Sequence, residues 1–143
     1  MINWLAMITS RITNTAISAH ALAVEVADQS AGATVTFSGD VRNHDKSRQV
    51  LTLTYEVHPT AENVIQMIAN EVSVKYKVIK VSLAHRYGAI PIGETAFAVA
   101  VSAEHREAAF DCCRELVERV KSDLPIWKFQ EFADGTTEWV NSA

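Results

Sequence analysis

The sequence predicts a mixed α+β fold, and three features carry the prediction. Residues 51–57 alternate apolar and polar side chains with the two-residue period of a strand. Residues 102–121 show the helical spacing of an amphipathic helix, and strand and helix patterns follow one another without a regular βαβ rhythm. At 143 residues, 48% of them hydrophobic and 21% charged, the chain is long enough for one well-buried core and too short for two, so residues 1–143 are expected to form a single domain.

Taken in order, Ile17, Ala21, Val24 and Ala27 recur near helical spacing and predict a short first helix from about Thr15 to Ala27. Gly32 breaks that pattern. Ala33, Val35 and Phe37 then alternate with Thr34, Thr36 and Ser38 as in a half-buried strand. The polar run from Asp40 to Arg48 reads as an exposed, mobile loop. In the next strand Leu51, Leu53, Tyr55 and Val57 share one face. Val64, Ile65, Ile68, Val72 and Tyr76 predict a helix reaching about Lys77, with Thr60 as its cap. Ile79, Val81, Leu83 and His85 mark a strand ending at Gly88, and Thr95 to Val101 marks another. The central helix follows, with Ser102 as its expected N-cap and Ala109, the two cysteines, Leu116 and Val120 on its apolar face. It leads into a short Pro-Ile-Trp turn. Phe129 to Phe132 and Thr136 to Val140 flank Asp134-Gly135, a dipeptide suited to a hairpin turn that needs positive φ.

A net charge of -4 argues against general nucleic-acid binding, which needs a basic face with many phosphate contacts. The only cysteines, Cys112 and Cys113, are adjacent in a helix, where neither a disulfide nor chelation is geometrically favourable. A reduced, cytoplasmic protein is expected. The apolar opening from Met1 to Ile8 is too short to span a bilayer and lacks a basic start and a cleavage site, so no targeting or membrane segment is read there.

Against this acidic background the basic groups gather in Arg42-Asn43-His44, His85-Arg86, His105-Arg106, Lys121 and Lys128. Singly, such residues are ordinary solvated charges, and Lys121 also complements the dipole at a helix end. His105-Arg106 is less ordinary, because cations in a first helical turn oppose that dipole. A bound anion would remove the conflict, with Arg106 and free backbone N–H groups as donors; neutralisation by Glu104 and Glu107 is the alternative. His85 reads more readily as a satisfied structural histidine than as a ligand. No phosphate-binding glycine loop, nucleophile elbow or metal-ligand spacing is present, so a metal-free site without a cofactor is expected. Thiols among the apolar positions of a helix are usually inert.

These residues fall into a recurrent set of motifs: Gly32-Ala-Thr-Val-Thr-Phe-Ser-Gly-Asp-Val-Arg-Asn-His44, Leu53-Thr-Tyr-Glu56, His85-Arg-Tyr-Gly88, Gly93-Glu94, His105-Arg-Glu-Ala-Ala-Phe110 and Pro125-Ile-Trp-Lys128. Together, in this order and over residues 20–140, they resemble the large, catalytic subunit of molybdopterin synthase. The resemblance implies an α/β-hammerhead fold and a dimer of this chain, in which basic residues of one protomer can complete the other's pocket. It also implies a small ubiquitin-like subunit at each outer end, making a heterotetramer. In that family the partner's C-terminal Gly-Gly thiocarboxylate delivers sulfur to cyclic pyranopterin monophosphate, and two transfers form the molybdopterin dithiolene. Its catalytic lysines match Lys121 and Lys128, and its substrate-binding basic residues match Arg42, His105 and Arg106.

Both the tail and the pterin are anions, so fixed positive charge at close range suits the chemistry, and lysines that are crowded by cations or partly desolvated can move protons near neutral pH. On this reading Lys121 handles the tail's terminal carbonyl and Lys128 transfers a proton or stabilises charge at the pterin. The sequence departs from the family pattern at Gln130, where an acidic residue is usual, at Glu138 before Trp139, in a shortened loop after Glu56, and in a glycine-free turn from Lys46 to Gln49. Two other classes remain alongside the sulfurtransferase: a module that binds a phosphorylated small molecule, and a scaffold for the small subunit.

Overall fold

The computed structural model describes residues 5–142. Its elements are β1 (Met7–Thr13), α1 (Ala19–Val26), β2 (Ala33–Asp40), β3 (His44–Asp45), β4 (Arg48–Val57), α2 (Ala61–Ser73), β5 (Lys80–Arg86), β6 (Gly88–Ala89), β7 (Thr95–Ala103), α3 (Arg106–Asp123), β8 (Ile126–Phe132) and β9 (Thr137–Val140). One sheet has the order β1-β5-β7-β2, with β1 parallel to β5 and the other pairs antiparallel. The second is antiparallel in the order β3-β4-β8-β9, and β6 pairs with β4 on the edge opposite β8. This is the expected α+β arrangement of mixed and antiparallel sheets.

The first sheet is covered on both faces, which explains why Val81 through His85 and Ala96 through Ala103 are buried without interruption. On one face Val81, Leu83, Val99 and Val101 meet α2 and α3 in the main core, which also takes in Leu53 and Tyr55 of β4 and Ile126 of β8. On the other face the small residues Ala84, Ala98 and Ala100 leave room for α1 to seat Leu22 and Val26. The α3 face is the expected one, with Ala109, Cys112, Cys113, Leu116, Val117 and Val120 buried.

Several expectations are corrected. Helix α1 begins at Ala19, not near Thr15, because the Ser18 hydroxyl accepts from the Ala21 N–H at 3.0 Å and sets the start. That start buries Leu22 and Val26, one turn apart, and leaves Val24 64% exposed. A register shift between Val50 and Thr52 turns Val50 into the core and Leu51 out to solvent, since one extra residue reverses the facing of a strand. Helix α2 stops at Ser73; beyond it Tyr76 donates from its hydroxyl to Glu115 Oε1 at 2.7 Å and is tied to α3 instead. Thr60 stands at the cap position of α2, but its hydroxyl bonds His58 Nδ1 and caps nothing.

Ser102 cannot cap α3, because it lies in β7, buried, opposite Thr34 and Lys80. His105 occupies the cap position without a side-chain hydrogen bond. The Pro-Ile-Trp segment is not a turn beyond Pro125: Ile126, Trp127 and Lys128 already belong to β8. The polar run after Asp40 is a tight hairpin, with Asp45 opposite Arg48 and the turn residues Lys46 and Ser47 at φ 49° and 64°. Two successive left-handed residues match the strand twist of a two-residue hairpin, at a cost on the order of 1 kcal/mol for each non-glycine residue. No local pattern marks a strand before α1. Residues 1–4 of the apolar opening lie outside the described residues, while Met7–Thr13 form β1, whose Ile8 and Ile12 pack against the core.

Candidate active site

Between the two sheets lies a cavity of about 370 Å³. Its inner wall is aromatic, with Phe37 from β2, Tyr55 from β4, His85 from β5 and Phe97 from β7. Its rim is basic. Arg42 arrives on the β2–β3 connection, His44 from β3, Lys121 from the last turn of α3 and Lys128 from β8. Lys128 and Tyr55 are cross-strand partners, which places both side chains on the same face of the second sheet. Lys121 reaches the same space because Leu124 and Pro125 alone connect α3 to β8.

Three of the five residues singled out from the sequence, Arg42, Lys121 and Lys128, therefore line one cavity. His105 and Arg106 do not. They sit at the start of α3 in a separate depression beside Gly32 and Ala33. Gly32 is required there: its N–H donates to the Ala103 carbonyl at 3.0 Å, and a Cβ would stand 2.4 Å from the Glu104 carbonyl oxygen. Among the described residues neither His105 nor Arg106 enters an ion pair, so Glu104 and Glu107 do not neutralise them by direct contact.

The environment of the cavity tunes its groups. Burial pushes the Tyr55 phenol up to about 12. His85 is fully buried, stacked on Phe97 and met edge-on by Tyr55. Burial lowers its pKa to about 4, only partly opposed by the bond to the Arg86 backbone. That bond, 2.9 Å to a carbonyl that can only accept, places the proton on Nδ1 and leaves Nε2 as a bare acceptor without a partner among the described residues. The expected satisfied histidine is thus satisfied on one side only.

Two acidic groups balance the rim. Asp40 accepts from the hydroxyls of Ser38 at 2.6 Å and Thr95 at 2.9 Å. Asp45 accepts from Gln130 Nε2 at 2.9 Å and is held below the usual carboxylate range, by that bond first and then by the charges of Lys128, Lys46 and Arg42. Gln130 is buried, and Glu138 pairs outside the cavity with Arg48 at 2.5 Å and Lys46 at 3.7 Å. Asp45, Phe37, Tyr55 and Phe97 were not singled out as site residues in the sequence, since each belongs to an ordinary strand or polar pattern; His85 was weighed there and read as structural. Burial pushes the thiols of Cys112 and Cys113 up to about 12 and about 11, which keeps them protonated and unreactive near neutral pH.

A family model described as MoaE protein matches residues 12–123. The molybdopterin synthase catalytic subunit of Bacillus subtilis (strain 168) is 35% identical over 130 residues, which cover 90% of this chain and 82% of that protein. Molybdopterin synthase catalytic subunit 1 of Mycobacterium tuberculosis is 34% identical over 131 residues, covering 91% and 88%. Some relatives are longer: the chain spans 54% of the Arabidopsis thaliana molybdopterin synthase catalytic subunit, at 37% identity. The crystal structure of molybdopterin synthase from Staphylococcus aureus superposes with a TM-score of 0.82 at 31% identity, over 90% of this chain and 94% of that one. Family model, relatives and fold agree, and this chain belongs to the MoaE family, the catalytic subunits of molybdopterin synthase.

Proposed function

We propose that this chain transfers sulfur from the thiocarboxylated C-terminus of a small ubiquitin-like subunit to cyclic pyranopterin monophosphate, forming the dithiolene of molybdopterin. The observation that carries the reading is the meeting of Arg42 with Lys121 and Lys128, which lie far from it in sequence, around one cavity with an aromatic wall. Two anions, a thiocarboxylate tail and a phosphorylated pterin, must be brought together there, and fixed cations gathered around one cavity offset their mutual repulsion.

In this reading Lys121 holds the tail's terminal carbonyl, and Lys128 moves a proton or stabilises charge at the pterin. Lys121 closes a helix whose direction is fixed, whereas Lys128 is half-buried on a strand beside Tyr55. The sulfur is the partner's own, so the buried cysteines need no role. His105 and Arg106 lie outside the cavity of their own protomer, which favours a dimer in which they serve the neighbouring pocket. Residues 1–143 then act as one domain in the cytoplasm; among the described residues no helix is long and apolar enough to cross a membrane.

The test is direct. The protein is mixed with thiocarboxylated small subunit and cyclic pyranopterin monophosphate, and molybdopterin is assayed. Formation of molybdopterin that requires all three components supports the reading. Tight binding of both ligands without product would leave a binding module or scaffold in its place.

A further inference from the structure

Of the three cations that meet at the cavity, Lys121 is carried by a helix and Lys128 by a strand, whereas Arg42 stands on the short connection between β2 and β3. Its side chain is 67% exposed. Its ion-pair partner among the described residues, Asp45, is 3.8 Å away, beyond hydrogen-bond distance, so the place of the guanidinium depends on the backbone that carries it.

That backbone is clamped on both sides of Arg42. Asn43 accepts from the Val50 N–H of β4 at 2.9 Å, which ties it to the second sheet. Val41, buried in the main core, donates to the Glu94 carbonyl at 2.9 Å and accepts from the Gly93 N–H at 2.7 Å. These two bonds tie it to the last residues before β7. The Glu94 side chain then returns to β5, where its Oε1 accepts from Arg86 Nη1 at 2.7 Å. The Arg86 side chain is only 12% exposed, its buried Nε has no partner among the described residues, and Glu94 is the carboxylate that balances it. A guanidinium so enclosed cannot exchange its counter-charge for water without loss.

We propose that the Arg86–Glu94 pair is a positioning device for Arg42: by holding the Gly93–Glu94 backbone against Val41, it sets where the guanidinium stands at the rim and so how tightly the site takes its anionic substrate. The proposal rests on the function given above, in which Arg42 binds cyclic pyranopterin monophosphate. Neither Arg86 nor Glu94 lines the cavity, so each acts through Arg42 and not by touching the ligand.

Binding of cyclic pyranopterin monophosphate to the full chain is measured by calorimetry for the wild type, Arg42→Ala, Glu94→Ala and the double variant. Glu94→Ala should weaken binding about three- to tenfold, as fits coupling through a bonded network, and in the complete enzyme should raise KM by the same factor at nearly unchanged kcat. In the Arg42→Ala background it should add nothing, because the residue it positions is gone. Exchange of the Val41 and Gly93 amide protons should quicken in Glu94→Ala, a readout that does not depend on sulfur transfer. If Glu94→Ala does not fold, Glu94→Gln, which keeps an oxygen acceptor for Arg86 without the charge, carries the same comparison. A pair that serves stability alone would lower the thermal midpoint and leave affinity unchanged, or weaken binding equally with and without Arg42. Either result overturns the proposal, as do unchanged exchange rates. Wild-type affinity in Arg42→Ala would instead remove the substrate-binding role of Arg42 itself, and the proposal with it.

Discussion

His85 and Phe97 stack with ring centroids 5.5 Å apart and planes inclined by 16°, and this contact closes the inner end of the cavity with an imidazole that has no room for a charge. The consequence is a pH dependence of stability. An unfolded histidine titrates near about 6.5, while folded His85 is pushed down to about 4. Between these values the unfolded chain binds a proton that the native one does not, so stability is complete above about pH 6.5 and falls as the pH drops toward about 4. The loss is on the order of 3 kcal/mol across that window. Denaturant midpoints measured from pH 7 to pH 4 should show it, and His85→Gln should flatten the slope over the same range.

On the proposed function, substitutions at Lys128 should separate binding from chemistry. Lys128→Ala is expected to bind the small subunit and the pterin yet fail to transfer sulfur. Lys128→Arg should be nearly as inactive, because guanidinium keeps its charge and does not release a proton. Single-turnover assays with preformed thiocarboxylate check this: near-normal transfer by Lys128→Arg would show that charge alone suffices and would remove the proton-transfer role.

If the pocket is shared between protomers, Arg106 should report on the neighbouring one. Because it lies in a depression apart from Lys128, an Arg106→Ala chain and a Lys128→Ala chain, each inactive alone, should recover part of the activity when mixed and allowed to exchange subunits. Sedimentation should show the dimer. Calorimetry should show that Arg106→Ala weakens the pterin by a few kcal/mol at most and the small subunit less, as expected for lost charge-assisted hydrogen bonds to phosphate. No recovery on mixing, with exchange demonstrated, would place Arg106 outside the shared pocket.

Gly32 ties the start of β2 to the start of α3. Gly32→Ala would drive a Cβ to 2.4 Å from the Glu104 carbonyl oxygen, and backbone on both sides leaves little room to yield. A loss of about 1 to 3 kcal/mol is expected from such overpacking. Since the strain falls next to His105 and Arg106, substrate affinity should drop together with the thermal midpoint, whereas docking of the small subunit should not.

The sequence by itself determined the elements whose signals are local. The period of residues 53–57, the apolar face of α3 and the Asp134-Gly135 hairpin each depend on near neighbours, and each stands in the structure with Gly135 at φ 86°. The motifs around Arg42, His105, Lys121 and Lys128 were equally legible, and with them the family. What escaped was decided by partners distant in the chain. β1 is an edge strand rich in Ser, Thr and Arg, and only its parallel pairing with β5 makes it one. The bulge at Val50, the end of α2 and the burial of Ser102 in β7 likewise follow from strand pairing and helix packing, which leave no periodic trace. The same holds for the site. Only the tertiary structure brings positions 42, 121 and 128 around one cavity, sends His105 and Arg106 elsewhere, and sets Asp45 against Gln130, because charge interactions depend on separation in space and residues 85 apart in sequence meet only once β3, β4 and β8 have paired into one sheet.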